Sequence, residues 1–245
     1  MTVLLLKLAG PLQAWGESSR FVRRETGPQP TKSGIVGLLA ASMGRRRTDE
    51  IEDLAELTFG VRIEQPGALL RDFQTARPAG KPHSLLSTRY YLSDAVFLAA
   101  VEGPTDLING IAECLQRPTF PLYLGRRSCP PSEPVYAPDS VRDGSLLQVL
   151  VHEPWRAARW HRRKVQSLQP RLAITVDVAA ARAEPDLLED RESARIVRDQ
   201  PISFDPRLRQ YGFRSVVRGN VTVANPDFKP PADWTVHDPM AELGA

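Results

Sequence analysis

Apolar positions come in two rhythms along this chain, and the changes between them mark its elements. Thr2–Leu8 is a continuous apolar run of strand length, suited to a buried central strand. Gly10-Pro11 breaks it, and GPLQAWGESSR reads as a loop. Thr31 or Ser33 is placed to N-cap a helix through Met43, with Gly44 at the C′ position. Asp49 opens a second short helix carrying Ile51, Leu54, Ala55 and Thr58. Phe59–Glu64 and Ala68–Phe73 read as strands joined by a turn at Gln65-Pro66-Gly67, and Tyr90–Glu102 as one long strand. Between them, 74–89 has little periodicity and reads as an extended loop or flexible hairpin projecting from the sheet. Thr105 starts a helix with Leu107, Ile108, Ile111, Ala112 and Leu115 on one stripe.

This order fits an α+β chain with a ferredoxin-like sheet and helices on one face. The six prolines spread from Pro118 to Pro138 predict a rigid traverse. Beyond it Leu172–Val178 reads as a strand, 182–199 as a mobile loop, and the chain from about Asn220 as a loose tail. The expected division is 1–140 with a protrusion near 73–91, a small β-rich region over 141–219, and a tail over 220–245.

The 245 residues are 42% hydrophobic and 25% charged, the composition of a soluble globular protein. The run VLLL at 3–6 is too short for a membrane span or a signal segment, so no membrane association is expected. Cys114 and Cys129 make neither a disulfide framework nor a metal site, which points to a cytoplasmic location. His83, His152, His161 and His237 lack ligand spacing, so neither metal nor cofactor is expected. Net charge is only +3, but arginine outnumbers lysine 27 to 5, and arginine is the better bidentate phosphate ligand.

Candidate chemistry concentrates in four places. GPQPTKSG at 27–34 resembles a phosphate-binding loop, but it lacks the second glycine, and Pro30 has no N–H to donate. It is left with a helix N-terminus suited to one phosphate of a polymer, or with an ordinary capped start and a solvated Lys32. LGRRSCPP at 124–131 holds Arg126 and Arg127 between a glycine and a proline pair, as a phosphate clamp or with one arginine in a structural salt bridge. WRAARWHRRKVQSLQPR at 155–171 interleaves basic residues with Trp155 and Trp160, for phosphate and base contacts or with the tryptophans tucked into the core. Lys81, His83, Tyr90 and Tyr91, in or beside the projecting segment, are the residue types that metal-independent RNA cleavage uses.

Three strings are more specific than any of these patterns. LAGPLQAWG at 8–16, PTKSGIVGLLAASMG at 30–44 and YLGRRSCPP at 123–131 closely resemble the CasD family (Cas family five) of the type I-E CRISPR surveillance complex, Cascade. Weaker similarity continues through LRDFQTAR, STRYYLSDAVF and RDQPISFDPRLRQYGFRSVVRG, up to about Gly219. The resemblance implies a ferredoxin-like (RNA-recognition-motif-type) palm, a thumb at about 73–91, and no catalysis. It implies a grip on the 5′ handle of CRISPR RNA, with CasC backbone subunits and the large CasA subunit as neighbours and target DNA reached through the complex. Carried onto this chain, it makes Gln13, Trp15 and Gly16 of the first string RNA contacts, with Trp15 either a π-face or a core anchor. Arg20, Lys32, Ser33, Gly34, Arg89, Arg126, Arg127 and Ser128 complete the expected RNA-binding set. The competing expectation is a metal-independent endoribonuclease that processes CRISPR repeat RNA.

Overall fold

The structure is a computed structural model that describes residues 1–16, 23–77, 80, 84–137 and 139–230. In chain order its elements are β1 (Thr2–Ala9), β2 (Leu12–Gln13), β3 (Arg23–Arg24), α1 (Lys32–Ser42), α2 (Glu52–Ala55), β4 (Thr58–Gln65), β5 (Ala68–Ala76) and β6 (Leu85–Ser93). There follow β7 (Val96–Gly103), α3 (Thr105–Gln116), β8 (Val141–Asp143), α4 (Leu146–His152), α5 (Arg159–Lys164), β9 (Arg171–Asp177), α6 (Val178–Ala183), β10 (Arg195–Ser203) and β11 (Gln210–Thr222).

The molecule is mixed α/β, built on one seven-stranded antiparallel sheet in the order β10-β11-β9-β4-β7-β1-β8. β1 shows why its run is unbroken. Leu4, Leu6 and Leu8 pack with α1 and α3 on one face, while Val3 and Leu5 pack with α4 and Trp155 on the other. A strand covered on both sides has no polar face to show. Each fully buried leucine contributes about 1.5–3 kcal/mol. Helix α1 starts as its sequence dictates: Thr31 accepts the Gly34 N–H, and Gly44 takes a left-handed, positive φ beyond the last turn.

The strands after α2 depart from expectation. β4 and β5 do not pair with each other: β4 lies between β7 and β9, while β5 pairs with β6. Gly67, at a positive φ, turns the chain out of the sheet, and a Cβ there would drive into the Ser93 carbonyl oxygen. The long strand expected over Tyr90–Glu102 is two strands, parted at Asp94, whose φ is also positive. Gln65 Nε2 donates to the Asp94 carbonyl, which ties the two exits together. A hairpin thus leaves the sheet at Gly67 and returns at Asp94. β6 also pairs with β2 through Leu92 and Ser93, and in parallel with β3 through Thr88 and Arg89.

The last third of the chain extends the same sheet from the β4 edge. Segment 182–199 is not a loop throughout, since β10 begins at Arg195. Its alternation was hidden because β10 is an edge strand, with Ile196 74% exposed and register shifts on both sides of Gln200 and Pro201. β11 runs on through Asn220 to Thr222. Beyond it the buried Asn225 side chain donates to the carbonyls of Arg162 and Ser167 at 2.9 and 3.1 Å.

Candidate nucleic-acid interface

Four chain segments meet at the base of the hairpin: the 10–16 loop, β3, β6 and the 124–131 loop. Ala14 N–H donates to Leu124 O at 3.1 Å, and Leu124 N–H to Cys129 O at 2.8 Å. Gly125 has a positive φ, and a Cβ there would collide with the Ala14 carbonyl. Only glycine allows so close an approach. A Cβ on Gly10 would likewise stand 2.9 Å from Pro130 O.

Arg126 joins three of these segments, its own loop, β3 and β6. Its guanidinium donates to Tyr90 O at 2.9 Å and to Arg24 O and Glu25 O at 2.9 and 3.0 Å. It also lies over the Tyr91 ring, 4.9 Å from the centroid. Three carbonyls engage the fork expected to hold a phosphate, so Arg126 binds backbone and sets the shape of the node. Arg127, Ser128, Arg24 and Gly16 are exposed beside it. Among the described residues the Arg127 side chain has no partner. Arg89 is half-buried, and its Nε is buried without a partner among the described residues. Burial alone would raise the Tyr91 phenol, but hydrogen bonds from Ser128, Arg89 and Arg126, with the Arg126 charge, outweigh it and bring the phenol down.

Three residues expected at an RNA surface are inside the molecule. Gln13 is fully buried: Nε2 donates to Leu8 O at 3.0 Å and Ala95 O at 2.7 Å, and Oε1 accepts from Trp15 Nε1 at 3.1 Å. Its amide is spent within the fold, because a buried amide must find partners. Trp15, 1% exposed, is the core anchor rather than a π-face. Gly34 gives it room, since a Cβ there would stand 2.9 Å from the indole. Lys32 is also buried, its Nζ 3.7 Å from Asp177 Oδ2.

The N-terminus of α1 does hold an anion, but it is the chain's own. Asp199 of β10 accepts the Lys32 N–H at 2.8 Å. Arg214 bridges the cluster, donating to Asp199 Oδ1 and Oδ2 at 2.6 and 2.9 Å and to Asp177 Oδ1 at 2.6 Å. Burial pushes the Lys32 amine down, against the pull of Asp177. Two acids and two bases balance, which is how charges persist away from water. Ser33 and Gly34 are half-buried behind Thr31. Arg20 lies outside the described residues, as do Lys81 and His83. Just beyond α1, Arg45 grips both Asp53 oxygens at 2.5 Å.

Arg24 stands outside the expected RNA-binding set. Its side chain is exposed and its carbonyl meets Arg126, and the string FVRRE gave no signal that it is a strand beside β6. The hairpin adds an uncovered face. Arg71, Phe73 and Leu86 share one side by register, with Phe73 60% and Leu86 51% exposed. Among the described residues no helix is long and apolar enough to cross a membrane.

The mixed α/β fold on one large antiparallel sheet matches solved structures of CRISPR-associated proteins. The family model described as CRISPR-associated protein (Cas_Cas5) matches residues 3–217, and the chain belongs to that family. It is similar to the CRISPR system Cascade subunit CasD of Escherichia coli (strain K12), 34% identical over 172 residues, which cover 62% of this chain and 77% of that one. A crystal structure of a Cas protein matches with TM-score 0.64 and 34% identity over 94% of this chain and 100% of the other. A chain in a CRISPR RNA-guided surveillance complex matches with TM-score 0.70 and 30% identity, covering 94% of this chain and 95% of that one.

Proposed function

We propose that this chain is a non-catalytic CRISPR RNA-binding subunit of a type I-E Cascade, gripping the 5′ handle of the guide and capping one end of the complex. In this reading β1, β4, β7 and β8, with α1 and α3, form a ferredoxin-like palm. Their order along the chain is β-α-β-β-α-β, and their order in the sheet is β4-β7-β1-β8. The β5–β6 hairpin is the thumb, CasC and CasA subunits are neighbours, and target DNA is met through the assembly in the cytoplasm.

The observation that carries the reading is the node at the thumb base. Arg126 ties its own loop to β3 and β6, and the Ala14–Leu124 bond adds the 10–16 loop, leaving Arg24, Arg127, Ser128 and Gly16 exposed. A rim of arginines and close backbone suits a single strand with splayed bases. The test is RNA retention by complexes carrying Arg24→Ala with Arg127→Ala. We expect loss of handle binding in a chain of unchanged stability, and full retention would sink the reading.

The competing reading is a metal-independent ribonuclease, and the lowered Tyr91 phenol is the one observation in its favour. Tyr91 is 2% exposed beneath Arg126, however, so it has little access to a 2′-hydroxyl. Incubation with repeat RNA in EDTA separates the two: specific cleavage lost in Tyr91→Phe would establish the enzyme.

A further inference from the structure

Trp155 and Trp160 lie on one basic stretch, and the structure sends them in opposite directions. Trp155 is 3% exposed, and its Nε1 donates to Glu64 O at 2.8 Å. Trp160 is 57% exposed on α5. His161 stands between them, edge-on to Trp155 at 5.9 Å and to Trp160 at 5.6 Å. Exposing an indole forgoes its burial, and this chain does so on a segment it holds firmly.

The support under α5 is built from buried polar groups. Arg62, fully buried on β4, donates to Leu150 O, Glu153 O and Pro154 O at 2.5, 2.8 and 3.0 Å, and to Glu64 Oε1 at 2.6 Å. Glu64 Oε2 accepts the Arg156 N–H at 2.7 Å. At the other end the Asn225 amide holds the Arg162 carbonyl. The chain entering and leaving α5 is therefore fixed.

Charge around the indole is one-sided. Asp227 pairs with Arg162 at 2.7 Å and with Arg159 at 3.2 Å, the latter still 69% exposed in its side chain. Arg163 and Lys164 are exposed, with no ion pair among the described residues. One carboxylate thus answers four cations on the six-residue helix that exposes the indole, and Arg159, Arg163 and Lys164 stay exposed, a combination that favours polyanion and base over an apolar protein surface.

We propose that Trp160, with Arg159, Arg163 and Lys164, forms a second nucleic-acid contact on this chain, which takes single-stranded DNA. One unpaired base stacks on the indole while the cations hold the flanking phosphates. The site is separate from the thumb-base node. Trp155 and Ala157 pack in the core on the opposite sheet face from the one that buries Ala14, Trp15, Leu124 and Cys129. The choice of DNA rests on the function proposed above. The guide RNA is assigned to the node, and a complex that opens a duplex by RNA pairing leaves one DNA strand unpaired.

The experiment uses the assembled complex with guide RNA and a target duplex carrying 5-iododeoxyuridine along the displaced strand, with 5-iodouridine in the guide as a parallel arm. Irradiation is expected to crosslink the displaced DNA strand to Trp160, and Trp160→Ala to abolish the adduct. Target affinity should fall about tenfold in Trp160→Ala, within the range for one stacked base, and largely recover in Trp160→Tyr. Arg163→Ala with Lys164→Ala should lower the salt dependence of target binding by about 0.7 per lost phosphate contact. Guide retention, measured in the same samples, should not change, so failure of this site is distinguishable from failure of the handle reading. A crosslink from the guide alone, target affinity unchanged in Trp160→Ala, or loss of a protein subunit without loss of DNA binding would each overturn the proposal.

Discussion

Asp199 accepts the backbone N–H of Lys32, so the one helix terminus that resembles a phosphate site is filled by a carboxylate from 167 positions away. Arg214 binds that carboxylate with two nitrogens. Asp199→Ala would leave Arg214 buried with one of its two acids and the Lys32 N–H without its acceptor, while Thr31 still caps α1. Breaking one partner out of a buried ion cluster costs about 3–5 kcal/mol. We expect a loss of that order in urea unfolding, whereas Lys32→Met should leave the salt dependence of RNA binding unchanged.

Arg126 and Arg127 are adjacent and should behave differently. Arg127→Ala is expected to keep the melting temperature and lower the salt dependence of handle binding by about 0.7, one phosphate contact on a single strand. Arg126→Ala removes bonds to three carbonyls, so thermal stability and RNA retention should fall together. Equal melting temperatures for the two variants would contradict the role given to Arg126.

Gly125 tolerates no side chain, because its φ is positive and a Cβ would meet the Ala14 carbonyl. Gly125→Ala is expected to destabilise the chain by more than about 1 kcal/mol and to weaken RNA retention with it. Gly110, where a Cβ would meet nothing within 4 Å, is the control. Inside α3, Gly110→Ala should stabilise by about 0.4–1 kcal/mol.

His161 gives a pH signature. Burial between the two tryptophans, then the charge of Lys164, push its imidazole below 6.5. Because the folded value is depressed, the unfolded chain takes up the proton first as pH falls below 6.5. Stability is therefore lost from 6.5 down through the folded value, with no further loss from this group below it. Denaturant midpoints of the parent and His161→Gln should converge over that interval. A gap that stays constant with pH would contradict the shift.

Phe73 and Leu86 share a face of the hairpin, and both are more than half exposed. Phe73→Ser with Leu86→Thr should change the stability of the free chain by less than about 0.5 kcal/mol each, as for exposed sites. If this face meets another subunit, assembly followed by size exclusion should fail for the pair.

Legibility in the sequence followed the range of the interaction. β1, the Thr31 cap with Gly44, and the α3 stripe were readable because their causes lie within a turn or a strand. The run Tyr90–Glu102 concealed two strands, since the break at Asp94 depends on which neighbour each half pairs with. β10 was missed because its apolar positions face outward and its bulges interrupt the period. The two tryptophans of 155–164 are chemically identical, and distant partners hold Trp155 inside: the Glu64 carbonyl, 91 positions away, and the core around Val3 and Leu5. At the thumb base the string LGRRSCPP located the arginines, but not which of them would bind backbone.

The cluster of Lys32, Asp177, Asp199 and Arg214 also bears on the order of events at the ribosome. α1 and β4 emerge well before β9, β10 and β11 exist. Until then the α1 terminus has no carboxylate, the Lys32 amine no counter-charge, and the β4 edge only one of its two neighbours. The nascent first half is therefore a sheet with β4 open, and the last strands to be made cover that strand and move the edge out to the bulged β10. A chain cut short after α3 would keep β4 as an adhesive rim of unpaired backbone, the place that β9 covers in the finished molecule.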